Sequence, residues 1–197
     1  MNGGRMREAV FCLLPVLLIG CSAPALVPDD FEIPGGFETA EFRVRPITAA
    51  DAELDYEAVM ESIDLIHRAL LDDGWPTESF TLAENERDLA EKERRAARRE
   101  NFTYTVVSPD ESRVLGCVYL FKGIGGPDAA AFLWVRRSAQ DSGLDLRLEV
   151  AVRDWVERDW PFEWVVFPGR GPGKPAETPT SGSAQADTPP TPQETDP

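Results

Sequence analysis

The sequence has few of the residues that most often carry catalysis. Its single histidine, His67, leaves a Ser-His-Asp or Cys-His arrangement one possible base and no supporting motif. Its three cysteines lie apart: Cys12 within an apolar N-terminal run, Cys21 at the end of that run, and Cys117 inside a later apolar stretch. No two are spaced for an obvious bridge, and none joins His67 in a ligand pattern, so we expect no metal. Positive charge is also scarce: 20 Lys and Arg face 35 Asp and Glu, a net charge of -15. That surface repels phosphates, and no basic patch with interleaved aromatics offsets it, so nucleic acid is not an expected partner. A hydrophobic fraction of 42% with five Trp fits a globular fold and not a disordered chain.

The first 20 residues read as an export signal. Arg5 and Arg7 supply a positive start, and an apolar run over 9–19 follows. That run is too short to span a bilayer as a helix. It ends Leu18-Ile19-Gly20-Cys21, which resembles the lipobox of bacterial lipoproteins. The resemblance implies cleavage before Cys21 and attachment of acyl chains to its thiol. The domain would then be extracytoplasmic and anchored to the bacterial membrane through Cys21. The alternative is a chance apolar leader behind a start site placed too early, which leaves the domain cytoplasmic.

Residues 21–40 read as a tether, with Pro24, Pro28, Pro34, Gly35 and Gly36 breaking regular structure. Residues 41–47 alternate polar and apolar as a strand does, closed by Pro46. Thr48 caps a helix to about residue 62, and helical pattern continues to about Leu71, where Asp72-Asp73-Gly74-Trp75-Pro76 stops it. Thr81 and Glu84 form a capping box for a charged helix over 81–101. Its Arg94, Arg95, Arg98 and Arg99 read as a solvated face, with a basic docking surface as the functional alternative. Strands follow at 102–107, 114–121 and 129–135. The second is apolar throughout, as a strand covered on both faces should be, and Gly116 within it invites a bulge or a close backbone approach. From Leu144 to Trp160 a helix carries an apolar stripe at Leu144, Leu148, Ala151, Val152, Trp155 and Val156. Pro161 ends it, and 162–167 reads as a last strand. From Pro168 the chain turns to Pro, Thr, Gly, Ser and acid, without an aromatic. We place the domain over 41–170 and read 171–197 as a disordered tail.

The order strand, helices, three strands, helix, strand predicts one α/β (α+β) domain, a mixed central sheet flanked by helices. It resembles the GNAT superfamily of N-acetyltransferases, shortened at its C-terminal end. The phrase FRVRPITAADAELDYEAV resembles the opening strand and first helix of that fold. Gln140-Asp141-Ser142-Gly143-Leu144-Asp145 resembles its pyrophosphate-cradling turn, Q-x-x-G-x-(G/A), with Asp145 where a small residue belongs. The resemblance implies acetyl-coenzyme A (acetyl-CoA) as cofactor and a small-molecule or protein amine as acceptor. Arg136, Arg137, Gln140, Gly143, Leu144 and Asp145 are then the candidate cofactor-binding residues. Gly143 leaves room for phosphate at the start of a helix, where unpaired N–H groups and the helix dipole converge. Arg136 and Arg137 would screen its charge. Asp141 and Asp145 oppose it, since a carboxylate at a helix start satisfies the same N–H groups and adds like charge.

No glutamate occupies Ala129–Val135, where the family often carries its general base. Tyr104 and Tyr119 remain as proton carriers, against their ordinary role as core aromatics of a strand. His67 reads as a helix-surface or core-edge residue and Cys117 as a small buried hydrophobe. Two readings stay open. One is an N-acetyltransferase. The other is a lipid-anchored binding or structural protein that keeps the fold without the chemistry. Export favours the second, because acetyl-CoA is a cytoplasmic metabolite.

Overall fold

A computed structural model describes residues 24–171. The leader with Cys12 and Cys21, and the tail from residue 172, lie outside the described residues. Six strands form one sheet in the order β1 (Phe37–Glu38), β2 (Arg43–Pro46), β3 (Phe102–Val107), β4 (Val114–Lys122), β5 (Ala129–Val135) and β6 (Val165–Val166). All neighbours are antiparallel except β5 and β6. The helices are α1 (Ala52–Met60), α2 (Ile63–Leu70), α3 (Leu82–Ala97) and α4 (Leu144–Asp159). None of the described helices is long and apolar enough to cross a membrane.

The central strands are buried on both faces, which explains their unbroken apolar run. In β4, Val118 and Leu120 face α4, where they meet Leu148, Val152 and Trp155. Cys117 and Tyr119 face the other way, toward Val59 of α1, Ile66 of α2 and Leu89 of α3. Cys117 is buried, as its apolar setting predicts. Gly116 meets both expectations placed on it. The β3–β4 register slips beside it, pairing Val106 with Gly116 and Val107 with Val114, so Leu115 is the extra residue of a bulge. A Cβ at Gly116 would stand 2.0 Å from the carbonyl oxygen of Trp134 on β5. The α3 capping box is present: Glu84 N–H donates to Thr81 Oγ1 at 3.3 Å, and Thr81 N–H donates to Glu84 Oε2 at 2.8 Å.

Two boundaries differ from expectation. The tether is not loose over its described part. Leu26 and Val27 are buried in the α4-side core, Phe31, Ile33 and Phe37 pack against it, and 37–38 add a strand. Arg99 holds this segment by donating to Pro28 O at 3.0 Å and Phe31 O at 2.9 Å. The prolines and glycines break regular structure there, but the apolar residues between them still have a core to join. The last strand is shorter than 162–167: only Val165 and Val166 pair with β5. Phe162 instead stacks on Trp160 at 5.4 Å.

A carboxylate lies deep in the core of the domain. Asp55 of α1 is 2% exposed, accepting from Asn85 Nδ2 at 3.0 Å and from the Cys117 thiol at 3.5 Å. Burial pushes its pKa up to about 6, against the lowering effect of the Asn85 hydrogen bond. The folded-state value lies above the ordinary 3.8. Asp55 therefore contributes stability that is full below about pH 4 and lost as pH rises through about 6, on the order of 3 kcal/mol. Melting curves of wild type and Asp55→Asn between about pH 4 and about pH 7 check this. The wild type should lose ground to the variant as pH rises, and parallel curves would refute the assignment.

Candidate functional site

β5 and β6 pair only at Ala129–Val165 and Ala130–Val166. Beyond Ala130, β5 continues for five residues while β6 has ended, so the sheet opens there. A groove of about 440 Å³ lies at the opening. Leu65 of α2, Trp134 and Val135 of β5, Gln140, Asp145 of α4 and Arg170 are among the residues lining it. It sits at the carboxyl end of β5 beside the N-terminus of α4, the crevice where ligands enter open α/β sheets.

The turn between β5 and α4 is a 3₁₀ segment over Arg137–Ser142 closed by Gly143 at φ 74°. That left-handed conformation explains the glycine. Leu144 is the turn's apolar anchor, buried against the α4-side core. Gly143 is the N-cap of α4, and the Leu144 N–H donates to Ser142 Oγ at 3.2 Å, not to the expected carboxylate. Gln140 is fixed from below, its Nε2 donating to Val135 O at 2.7 Å.

Arg136 and Arg137 are not groove residues. Arg136 is buried, 6% exposed, and a buried guanidinium needs anionic and carbonyl partners. Glu61 supplies two oxygens, each at 2.7 Å, and Val114 O a third contact at 2.9 Å. Glu61 also accepts from the Ser138 N–H at 3.1 Å and hydroxyl at 2.9 Å. Arg136 chiefly, aided by Ser138, holds the Glu61 carboxyl down at about 2 against the effect of burial. Arg137 donates to Glu61 O at 3.0 Å and pairs with Asp64. Both arginines thus tie the turn to the α1–α2 junction.

Asp145 also departs from expectation. Its carboxylate turns from the helix N–H groups to Arg170, which binds it with both terminal nitrogens at 2.7 and 2.9 Å. Arg170 donates further to Glu149 Oε2 at 3.1 Å and to Leu133 O at 3.1 Å. Arg153 completes the cluster, donating to Glu149 at 2.8 Å and to Arg170 O at 3.1 Å. Arg170 and Glu149 were not legible as site residues. Arg170 is the last residue of the domain as read from sequence, in a Pro-Gly-rich stretch, and its partners lie 21, 25 and 37 residues away. Glu149 offered one faint signal, its i,i+4 spacing with Arg153.

Neither tyrosine reaches the groove directly. Tyr104 packs on Trp155 in the α4-side core and donates to Pro34 O at 2.6 Å. Tyr119 lies on the opposite face and accepts from Trp134 Nε1 at 3.1 Å. Burial raises both phenol pKa values, Tyr119's well above 10.0. His67 is part-buried with Nε2 2.8 Å from Pro76 O, a core-edge residue. Among the described residues no group of three or more His, Cys, Asp or Glu is placed to hold a metal.

No protein-family model and no curated protein matches this sequence. Solved structures do match in shape. The ribosomal-protein-S5-alanine acetyltransferase of Vibrio fischeri superposes with a TM-score of 0.51 at 20% identity, over 66% of this chain and 71% of that one. The Salmonella typhimurium acetyltransferase that modifies the N-terminal serine of L7/L12 gives 0.50 at 12%, over 64% and 70%. A Bordetella pertussis protein assigned to the GNAT-family acetyltransferases gives 0.50 at 15%, over 67% and 77%. The fold is that of the GNAT acetyltransferases. At the β5–β6 opening a side chain of the chain itself, Arg170, crosses from α4 to β5.

The Glu61–Arg136 pair predicts a stability effect. Glu61→Ala leaves a buried guanidinium unpaired and frees the turn. We expect a loss of about 2 kcal/mol, discounted for the partial exposure of Glu61. Denaturant unfolding measures it, and a change under about 0.5 kcal/mol would show the pair to be incidental.

Proposed function

We propose that this domain is an N-acetyltransferase of the GNAT type, passing an acetyl group from acetyl-CoA to an amine. One observation carries the reading: the sheet opens between β5 and β6 directly onto the Gly143 turn and the N-terminus of α4. The acceptor is a small-molecule or protein amine. The protein class is the one named for the Vibrio fischeri and Salmonella proteins.

The groove fits this donor in outline and not in its present contacts. Leu133 O and Val135 O, the backbone acceptors along the opening, are taken by Arg170 and Gln140. Two carboxylates, Asp145 and Glu149, line the place of the phosphates. No carboxylate projects from β5, which reads AAAFLWV. A second reading rests on these contacts: a binding protein that keeps the fold and does not transfer acetyl groups.

The two readings part in one titration. Acetyl-CoA at about a hundred times its dissociation constant should raise stability by ~2.7 kcal/mol, read as a melting shift. Release of free thiol from acetyl-CoA in the presence of a panel of amines should accompany it. A melting shift without thiol release selects the binding protein, and no shift sinks the donor reading for the wild type.

We further propose that Cys21 carries the lipid and that the domain is extracytoplasmic and membrane-anchored. The support is the coincidence of Arg5 and Arg7, the apolar run and the Leu18-Ile19-Gly20-Cys21 box. Cys21→Ala should accumulate as uncleaved precursor and take up no labelled palmitate. A variant that matures like the parent would disprove the anchor.

A further inference from the structure

We propose that Arg170 is the specificity-determining residue of the groove: a latch that closes it and admits a donor only when it swings out. The inference rests on the donor reading above for what the groove holds, but not for the latch itself. Three features of the structure support it.

The first is how completely the guanidinium is used. It bridges Asp145 and Glu149 on α4 to Leu133 O on β5, spanning the opening that β6 leaves. A planar fork with bidentate carboxylate contact is the geometry in which arginine binds best. The side chain is 16% exposed, so these contacts are shielded from water.

The second is what holds the residue. Its backbone is fixed, with N–H donating to Phe167 O at 3.0 Å and its carbonyl accepting from Arg153 at 3.1 Å. Gly169 and Gly171 flank it at φ 77° and 85°, and a Cβ on either would meet nothing within 4 Å. The latch would therefore move by side-chain torsions about a held backbone, next to two uncrowded glycines.

The third is the charge left behind. When Arg170 leaves, Glu149 keeps Arg153. Asp145 has no other ion-pair partner among the described residues. One uncompensated carboxylate then stands at the start of α4, where an anionic donor would place its phosphates. Opening is thus disfavoured twice, by lost ion pairs and by repulsion of the incoming phosphates. The apparent affinity for such a donor falls by the fraction of molecules that are open.

The test removes both members of the pair, so that no lone charge remains. Arg170→Ala with Asp145→Gly is compared with wild type in two measurements. Hydrogen exchange without ligand reads the latch. The amides of 133–135 and 144–149 should exchange faster in the double variant, with the rest of the domain unchanged. Calorimetry with acetyl-CoA reads admission, and the double variant should bind roughly tenfold or more tightly than wild type. Unchanged exchange overturns the latch whatever the calorimetry shows. Faster exchange with no gain in binding keeps the latch and overturns the donor reading. Should the double variant fail to fold, Arg170→Lys takes its place. It keeps the charge and loses the fork, and its exchange should lie between wild type and open.

Discussion

An open sheet edge inside a protein is a demand for hydrogen-bond partners. β5 meets β4 along its whole length and β6 over two residues, so the rest of that edge depends on side chains. Gln140 reaches Val135 O from the turn that follows the strand, and Arg170 reaches Leu133 O from beyond β6. A guanidinium drawn this far inward needs carboxylates, and Asp145 and Glu149 on α4 provide them. The departure of the loop from a small residue to Asp145 and the closure of the groove are one feature seen from two sides. The same rule governs the other end of the turn. Arg136 is buried there, and Glu61 answers it across 75 residues of sequence.

The two sheet faces divide the remaining residues. The α4 side is an aromatic core in which Phe102, Tyr104, Trp155 and Trp160 contact one another edge-on or tilted, and Tyr104 is part of it. The α1–α3 side holds the polar interior of the domain, with Asp55, Asn85, Cys117 and Tyr119 gathered around β4. Trp134 connects the two regions of interest, lining the groove while its indole N–H donates to Tyr119.

Local signals in the sequence were reliable where the physics is local. Apolar periodicity located α4, Thr81 and Glu84 marked the start of α3, and unbroken apolar runs identified the strands buried on both faces. Gly116 announced a close approach because only a missing side chain allows one. Long-range ion pairs leave no such period. Nothing around Arg170 distinguishes it from the polar tail, and nothing around Glu61 tells that Arg136 will need it. Proline and glycine misled over 24–40, because breaking regular structure is a local effect while burial of Leu26 and Val27 is decided by distant residues. The fold was therefore readable from sequence, and the groove was not. Its contents are charges that meet only after folding.

The clasp on the N-terminal segment sets a distance. Leu26 N–H donates to Arg99 O at 2.6 Å, so the body of the domain begins there. Five residue steps separate Leu26 from Cys21, a reach of at most about 18 Å when fully extended. A chain held by lipid at Cys21 would keep that end of the molecule against the headgroups, with no freedom to stand off on a long stalk. The end of α3 that carries Arg94, Arg95 and Arg98 would come to the surface with it. Under the proposed anchor, the domain would be held close to the membrane by its N-terminal edge.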